Sequence, residues 1–279
     1  MIKRIIAATA AIAIAMTSIG CEDHMAEVPM DNAVVKADLQ ILSQARILFA
    51  HQSVGRNIVD GVQSLAQQVG VPLRIMQISD VPPDGGPGLF HRYVGTNGEP
   101  DSKLEAFAAL LSRSERPQYD VALLKFCYED MGHDAKRADG LLDRYLARIG
   151  ALRTSRPNVK IVHASIPLRA DPPGWKTTVK RWFGRGTWED ADNERRNAYN
   201  QQLRTRLGGA PMFDLATIES TLPDGSRSGF ATPAGTVFTL ARPYTSDGGH
   251  LTPSASQRVA AEFVHALALA IRSPAAPAN

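Results

Sequence analysis

The sequence predicts a single-domain, three-layer α/β/α sandwich on a five-stranded parallel sheet, and two observations carry that prediction. Short apolar runs of strand length alternate with longer amphipathic runs of helical period. The short runs are continuously apolar rather than alternating, as strands covered on both faces must be. At 279 residues and 44% hydrophobic content, the chain is long enough to bury one sizeable core.

The elements follow in order. Ile47-Leu48-Phe49-Ala50 reads as the first strand, with Val54 to Val69 as its helix; Leu73 to Ile78 reads as the second, with Lys103 to Ser114. Val121 to Leu124 precedes a helix over Ala138 to Arg153, Val159 to His163 precedes Asn193 to Leu207, and Met212 to Leu215 precedes Pro253 to Ile271. Three stretches interrupt the alternation: Val81 to Pro100, Arg169 to Asp192 and Thr217 to Gly249. All three leave strand carboxyl ends, the edge at which open α/β sheets bind ligands, and are read as irregular loops crowding that rim.

The ends of the chain carry a different message. Lys3 and Arg4, an apolar run from Ile5 to Met16 and small residues before Cys21 have the form of an export signal over residues 1–20, and the run is too short for a membrane span. Ser18-Ile19-Gly20-Cys21 resembles the bacterial lipobox, which implies a lipid on Cys21 and a periplasm-facing lipoprotein of the cell envelope; simple cleavage to a soluble product is the alternative. Residues 21–40 are expected to form a tether, 41–273 the domain and 274–279 a frayed tail. With Cys21 lipidated, Cys127 has no partner, so no disulfide framework is expected. The net charge of +3 falls to +1 without Lys3 and Arg4, which argues against nucleic acid as a partner.

Two motifs carry chemistry. The first strand runs into His51-Gln52-Ser53-Val54-Gly55 just before a helix, placing Ser53 at a strand-to-helix turn beside backbone amides that can receive an oxyanion. Alone, such a serine is more often the N-cap of the helix than a nucleophile. The last helix is introduced by Asp247-Gly248-Gly249-His250-Leu251-Thr252-Pro253, with Thr252 and Pro253 as N-cap and first helical residue. An aspartate three residues before a histidine on a glycine turn can bond one ring nitrogen and leave the other to act as a base; a loop histidine merely satisfied by its neighbour is the alternative.

These two blocks resemble the SGNH (GDSL) hydrolases, which place a nucleophilic serine after the first strand and an Asp-x-x-His pair before the final helix. The resemblance implies a flavodoxin-like sheet and a serine esterase with Ser53 as nucleophile, His250 as base and acid, and Asp247 as the orienting carboxylate. The chain departs from the family at the first block, where only the serine is shared with Gly-Asp-Ser-Leu, and after the third strand, where Lys125-Phe126-Cys127-Tyr128-Glu129-Asp130 lacks the usual oxyanion asparagine. Substitute donors are the Ser53 amide, Gly95, Asn97, Gly98 and Lys125; candidate substrate contacts are His51, Gln52, Cys127, Tyr128, Trp175 and Trp182.

Rival readings remain open at this level. Cys127 is a thiolate candidate or a small buried hydrophobe. His51 is a second base or a fixture of the serine turn, and His163 reads as structural. The segment from Trp175 to Trp188 reads as a glycan- or membrane-facing basic-aromatic loop, or as a lid with its indoles packed inward. No metal-ligand spacing is present and no cofactor is implied. The expected function is a cell-envelope esterase acting on an ester substrate such as an O-acylated glycan. An O-acyltransferase, or a weak or inactive glycan-binding or assembly lipoprotein of the same fold, is the alternative.

Overall fold

The computed structural model describes residues 31–79, 85–112, 119–172, 174 and 187–273. The expected signal segment, the lipidation site Cys21, the start of the tether, Trp175, Trp182 and the 274–279 tail lie outside them.

The sheet is parallel throughout but has six strands, not the five expected: β1 (Arg46–His51), β2 (Ile75–Gln77), β3 (Gly88–Tyr93), β4 (Val121–Leu124), β5 (Lys160–Ala164) and β6 (Met212–Phe213), in the order β2-β3-β1-β4-β5-β6. The additional strand, β3, lies inside the segment read as a loop over residues 81–100. Its own apolar run is only Leu89-Phe90, too short to register as periodicity, and its pairing with β1 from Arg46↔Gly88 to His51↔Tyr93 is what makes it a strand. The 73–78 run is thereby displaced to the sheet edge, where only three of its residues pair.

Alternation along the central strands sorts side chains into two cores. Ile47, Phe49, Val121 and Leu123 face one layer of helices, α1 (Asn32–Leu42), α2 (Ser53–Val69) and α7 (Pro253–Arg272); Leu48, Ala50, Ala122 and Leu124 face the other, α3 (Pro100–Ser112), α4 (Leu141–Ser155) and α5 (Trp188–Leu207). This is the three-layer sandwich read from the sequence. Helix α1 corrects the expected tether: the Asp31 side chain caps it, and Val35, Leu39 and Leu42 are buried in the first core, so residues 32–40 belong to the domain. Asp38, buried within α1, accepts from His265 Nδ1 at 2.7 Å and Arg272 at 3.0 Å on α7, tying the two helices together.

The segment from Thr217 to Gly249 is also more regular than expected. It holds most of a short helix, α6 (Leu215–Ser220), an antiparallel hairpin of β7 (Gly229–Thr232) and β8 (Gly235–Phe238), and a single 3-10 turn over Arg242–Tyr244. Thr252 caps α7 through Ala255 N at 3.3 Å with Pro253 in the first turn, as the sequence predicts.

Candidate active site

Ser53 is the first residue of α2, and Gln52, in extended conformation, is the N-cap. No side-chain cap bond is made there, so Ser53 is not used as a cap. Among the described residues neither the Ser53 hydroxyl nor its amide has a hydrogen-bond partner in the protein. An amide in the first helical turn has no partner within its own helix, so the Ser53 N–H remains free to meet a developing negative charge.

The turn around Ser53 is held from three sides. His51, fully buried, sets its Nδ1 2.8 Å from Gln52 O and its Nε2 3.0 Å from His91 Nδ1. Nδ1–H donates to the carbonyl, so Nε2 must accept from His91. Burial, with a smaller opposing effect from the Gln52 carbonyl, pushes His51 down to about 3, and burial also lowers His91 to about 4. Both rings are therefore neutral. His51 fixes the turn and neither serves as a second base nor reaches substrate. Gln52 spends its amide hydrogens on Val94 O and Gly95 O, both at 2.8 Å, which binds the loop after β3 to the serine turn and makes it a positioning group rather than the expected substrate contact.

Of the proposed oxyanion donors, the structure removes two. The Gly98 amide already donates to Asp130 Oδ1 at 3.0 Å. Lys125 is fully buried, with Nζ on Phe126 O at 2.9 Å, and burial pushes its ammonium down to about 8. Gly95, one link from Ser53 through Gln52, keeps its amide unpaired. Asn97, exposed, accepts from Lys103 Nζ through Oδ1 at 2.8 Å, and its amide hydrogens make no bond among the described residues.

Beneath that loop lies a feature absent from the sequence reading. Lys103 and Asp130, both without solvent exposure, pair at 2.6 Å, and Asp130 also accepts from Cys127 N at 2.7 Å. Lys103 on α3 also holds Asn97 Oδ1 and Asp130 also accepts Gly98 N, so the pair ties the loop after β3 to the residues after β4. Cys127 itself is fully buried in the first core, which places it as a small hydrophobe and removes it from the substrate contacts and from the nucleophiles. His163 is structural, with Tyr145 OH 2.8 Å from Nδ1 and Arg153 2.9 Å from Nε2.

The second half of the site is the turn before α7. His250 Nδ1 lies 2.6 Å from Asp247 Oδ2, while Asp247 Oδ1 accepts the amides of Gly249 and His250 at 2.8 Å each. Burial would raise the Asp247 carboxyl, but these donors and the imidazole hold it well below the usual carboxylate range. The bond to Nδ1 sets the tautomer and leaves Nε2 with its lone pair, unpartnered among the described residues. Leu251 N donates to Asn57 Oδ1 at 3.3 Å, fastening this turn to α2 one helical turn beyond Ser53. Tyr128 backs the turn: its ring meets His250 edge-on at a centroid distance of 6.3 Å and lies against Gly249. At 5% exposure it is a wall of the site rather than an open contact. The structure thus brings Asp247 and His250 into direct contact and ties their turn to the helix that begins at Ser53, without a hydrogen bond between Ser53 and His250.

Comparison with solved structures shows the same architecture. An acylhydrolase candidate from Bacteroides fragilis aligns over 82% of this chain and 88% of its own, at 14% identity and a TM-score of 0.51. At that identity the likeness is one of fold: a parallel sheet between two layers of helices. A GDSL-like lipase from Bacteroides thetaiotaomicron aligns more loosely, over 86% of this chain and 97% of its own, at 11% identity and a TM-score of 0.44. No protein-family model matches the sequence, and curated proteins give no match. The residues missed by the sequence reading, Asn57, Lys103 and Asp130, are those whose partners lie far along the chain.

Proposed function

We propose that this protein is a serine ester hydrolase of SGNH type, exported to the bacterial cell envelope and held there by lipid on Cys21. The observation that carries the reading is the Asp247–His250 contact at 2.6 Å on a turn fastened to α2, whose first residue offers a hydroxyl that the fold does not otherwise use. Exposed aromatic rings at the carboxyl edge of the sheet, Tyr93 at 40% and Trp188 at 60%, support an O-acylated glycan as substrate, because sugar faces stack on such rings.

The mechanism follows from the donors and acceptors. His250 Nε2 takes the Ser53 proton as Oγ attacks the acyl carbonyl, and Asp247 stabilises the imidazolium that forms. The tetrahedral oxyanion is met by the Ser53 and Gly95 amides and the Asn97 side chain. Collapse breaks the ester C–O bond, His250 returns its proton to the leaving alkoxide, and the acyl group stays on Ser53. His250 then activates water, which hydrolyses the acyl-enzyme and restores the serine. The Ser53–His250 bond forms as substrate enters, since such bonds tighten in the reacting complex.

The test is turnover of a p-nitrophenyl acetate series and fluorophosphonate labelling, comparing wild type with Ser53→Ala and Cys127→Ser. Labelling lost in Ser53→Ala and kept in Cys127→Ser is the expected result. Label that persists in Ser53→Ala moves the nucleophile elsewhere, and a wild type that neither labels nor turns over is a glycan-binding protein on the same fold.

A further inference from the structure

Arg169 stands beside the Asp247–His250 turn, and its guanidinium makes no hydrogen bond among the described residues. Its Nη2 lies 3.5 Å from the position a side chain on Gly248 would take, and its Cζ sits 5.0 Å from the centroid of Tyr128, the same ring that meets His250. The backbone fixes it there: Ala170 N donates to Gly248 O at 2.9 Å, and Asn193 bonds both Arg169 N and Arg169 O.

The side chain is 29% exposed, yet its guanidinium makes no hydrogen bond among the described residues, and its Nε is buried without an acceptor at hydrogen-bond distance. The nearest carboxylate, Glu189, is 3.7 Å away. Glu189 is already engaged by Arg196 at 2.8 Å and so neutralises Arg169 only in part. A half-buried cation beside an aromatic ring, with one long ion pair and its fork of donors unspent, is placed to take a further anionic partner. Nearby Arg196, by contrast, is paired with Glu189, Asn193 and the Tyr128 carbonyl.

We infer that Arg169 selects an ester bearing an anionic group, a carboxylate that its planar fork can take in two parallel bonds beside the reacting carbonyl. The inference rests on the proposed reaction centre at His250 and names the class of substrate it takes. The carboxylate either extends the acyl chain or sits on the alcohol, and the two cases call for different probes.

Binding reads the inference independently of turnover. Titration calorimetry on Ser53→Ala protein compares monomethyl succinate, with the charge on the acyl side, O-acetylglycolate, with the charge on the alcohol side, and uncharged methyl butyrate. At least one anionic ester is expected to bind roughly ten- to hundred-fold more tightly than methyl butyrate, and that preference is expected to vanish in Ser53→Ala/Arg169→Gln and to return in part in Ser53→Ala/Arg169→Lys. Equal binding of all three esters overturns the inference. So does an anionic preference that survives Arg169→Gln in protein whose melting temperature and circular dichroism match the parent. Fluorophosphonate labelling at Ser53 is scored separately, so failure of the hydrolase reading and failure of the Arg169 assignment give different results.

Discussion

Leu251 N donates to Asn57 Oδ1 at 3.3 Å, joining two positions 194 residues apart and holding the turn of His250 against the helix that starts at Ser53. Neither residue has a part in the chemistry. The bond matters because the base and the nucleophile arrive from opposite ends of the chain, and their separation depends on how this turn sits on α2.

Asn57→Ala removes the acceptor and leaves the Leu251 amide unpaired in a partly buried place. The expected stability loss is about 1 kcal/mol, while kcat/KM falls roughly ten- to hundred-fold, since a misplacement near 1 Å costs catalysis far more than stability. Chemical denaturation and p-nitrophenyl ester kinetics on the same preparation separate the two. A kcat/KM equal to wild type would mean that the turn is held by its other contacts.

Asp247→Asn tests the dyad without disturbing the core, because the side chain is half exposed. Asparagine can still accept the Gly249 and His250 amides through its oxygen. It presents an amide donor to Nδ1, however, which favours the wrong tautomer and strips Nε2 of its lone pair. The expected loss in kcat is on the order of 10³ to 10⁴ with an unchanged melting temperature. A loss under tenfold would show that His250 is oriented by something other than Asp247.

The parts of this site that were legible in the sequence are the local ones. Asp247 and His250 are three residues apart, so their contact follows from a single turn, and Thr252-Pro253 marks the helix behind them. Strand β3 was illegible because Leu89-Phe90 is a strand through its neighbour β1, not through its own pattern. Helix α1 reads as tether because Val35, Leu39 and Leu42 bury against α7 and α2, elements that lie later in the chain. Gly98 and Lys125 looked like free donors because Asp130 and the Phe126 carbonyl, which occupy them, can be assigned only in three dimensions. Arg169 is illegible for the converse reason: what distinguishes it is a guanidinium that makes no hydrogen bond among the described residues, and no sequence pattern records that.

Gly55 is required by the packing of His51. A Cβ at position 55 would lie 2.3 Å from His51 Cβ and Cγ and 2.5 Å from Nδ1, well inside contact distance. Gly55→Ala must therefore push the imidazole off Gln52 O or tilt the first turn of α2. We expect a stability loss of about 1 to 3 kcal/mol, typical of overpacking, together with slower fluorophosphonate labelling of Ser53. Restored labelling in His51→Ala/Gly55→Ala would show that the clash acts through the ring. Labelling at the wild-type rate in Gly55→Ala alone would show that the turn absorbs the extra carbon.

Three buried histidines give stability a definite dependence on pH. Burial lowers His51 to about 3 and His91 and His163 to about 4, against an ordinary value of 6.5. Above pH 7 folded and unfolded chains are alike neutral at these positions, so the groups contribute no slope. Below about 6.5 the unfolded chain takes up protons that the folded chain refuses, and stability falls as pH drops toward 4; it levels off only below the folded values. At pH 4.5 each ring is expected to cost about 2 to 3 kcal/mol. His163→Gln isolates one of them, far from the serine turn. It should be less stable than wild type at pH 7.5, where the contacts to Tyr145 and Arg153 are weakened, and should close that gap by about 2 to 3 kcal/mol at pH 4.5, because the variant has no proton to refuse. Urea midpoints at pH 7.5, 6 and 4.5 measure the difference, and a gap that stays constant across that range would place the His163 proton equally in both states.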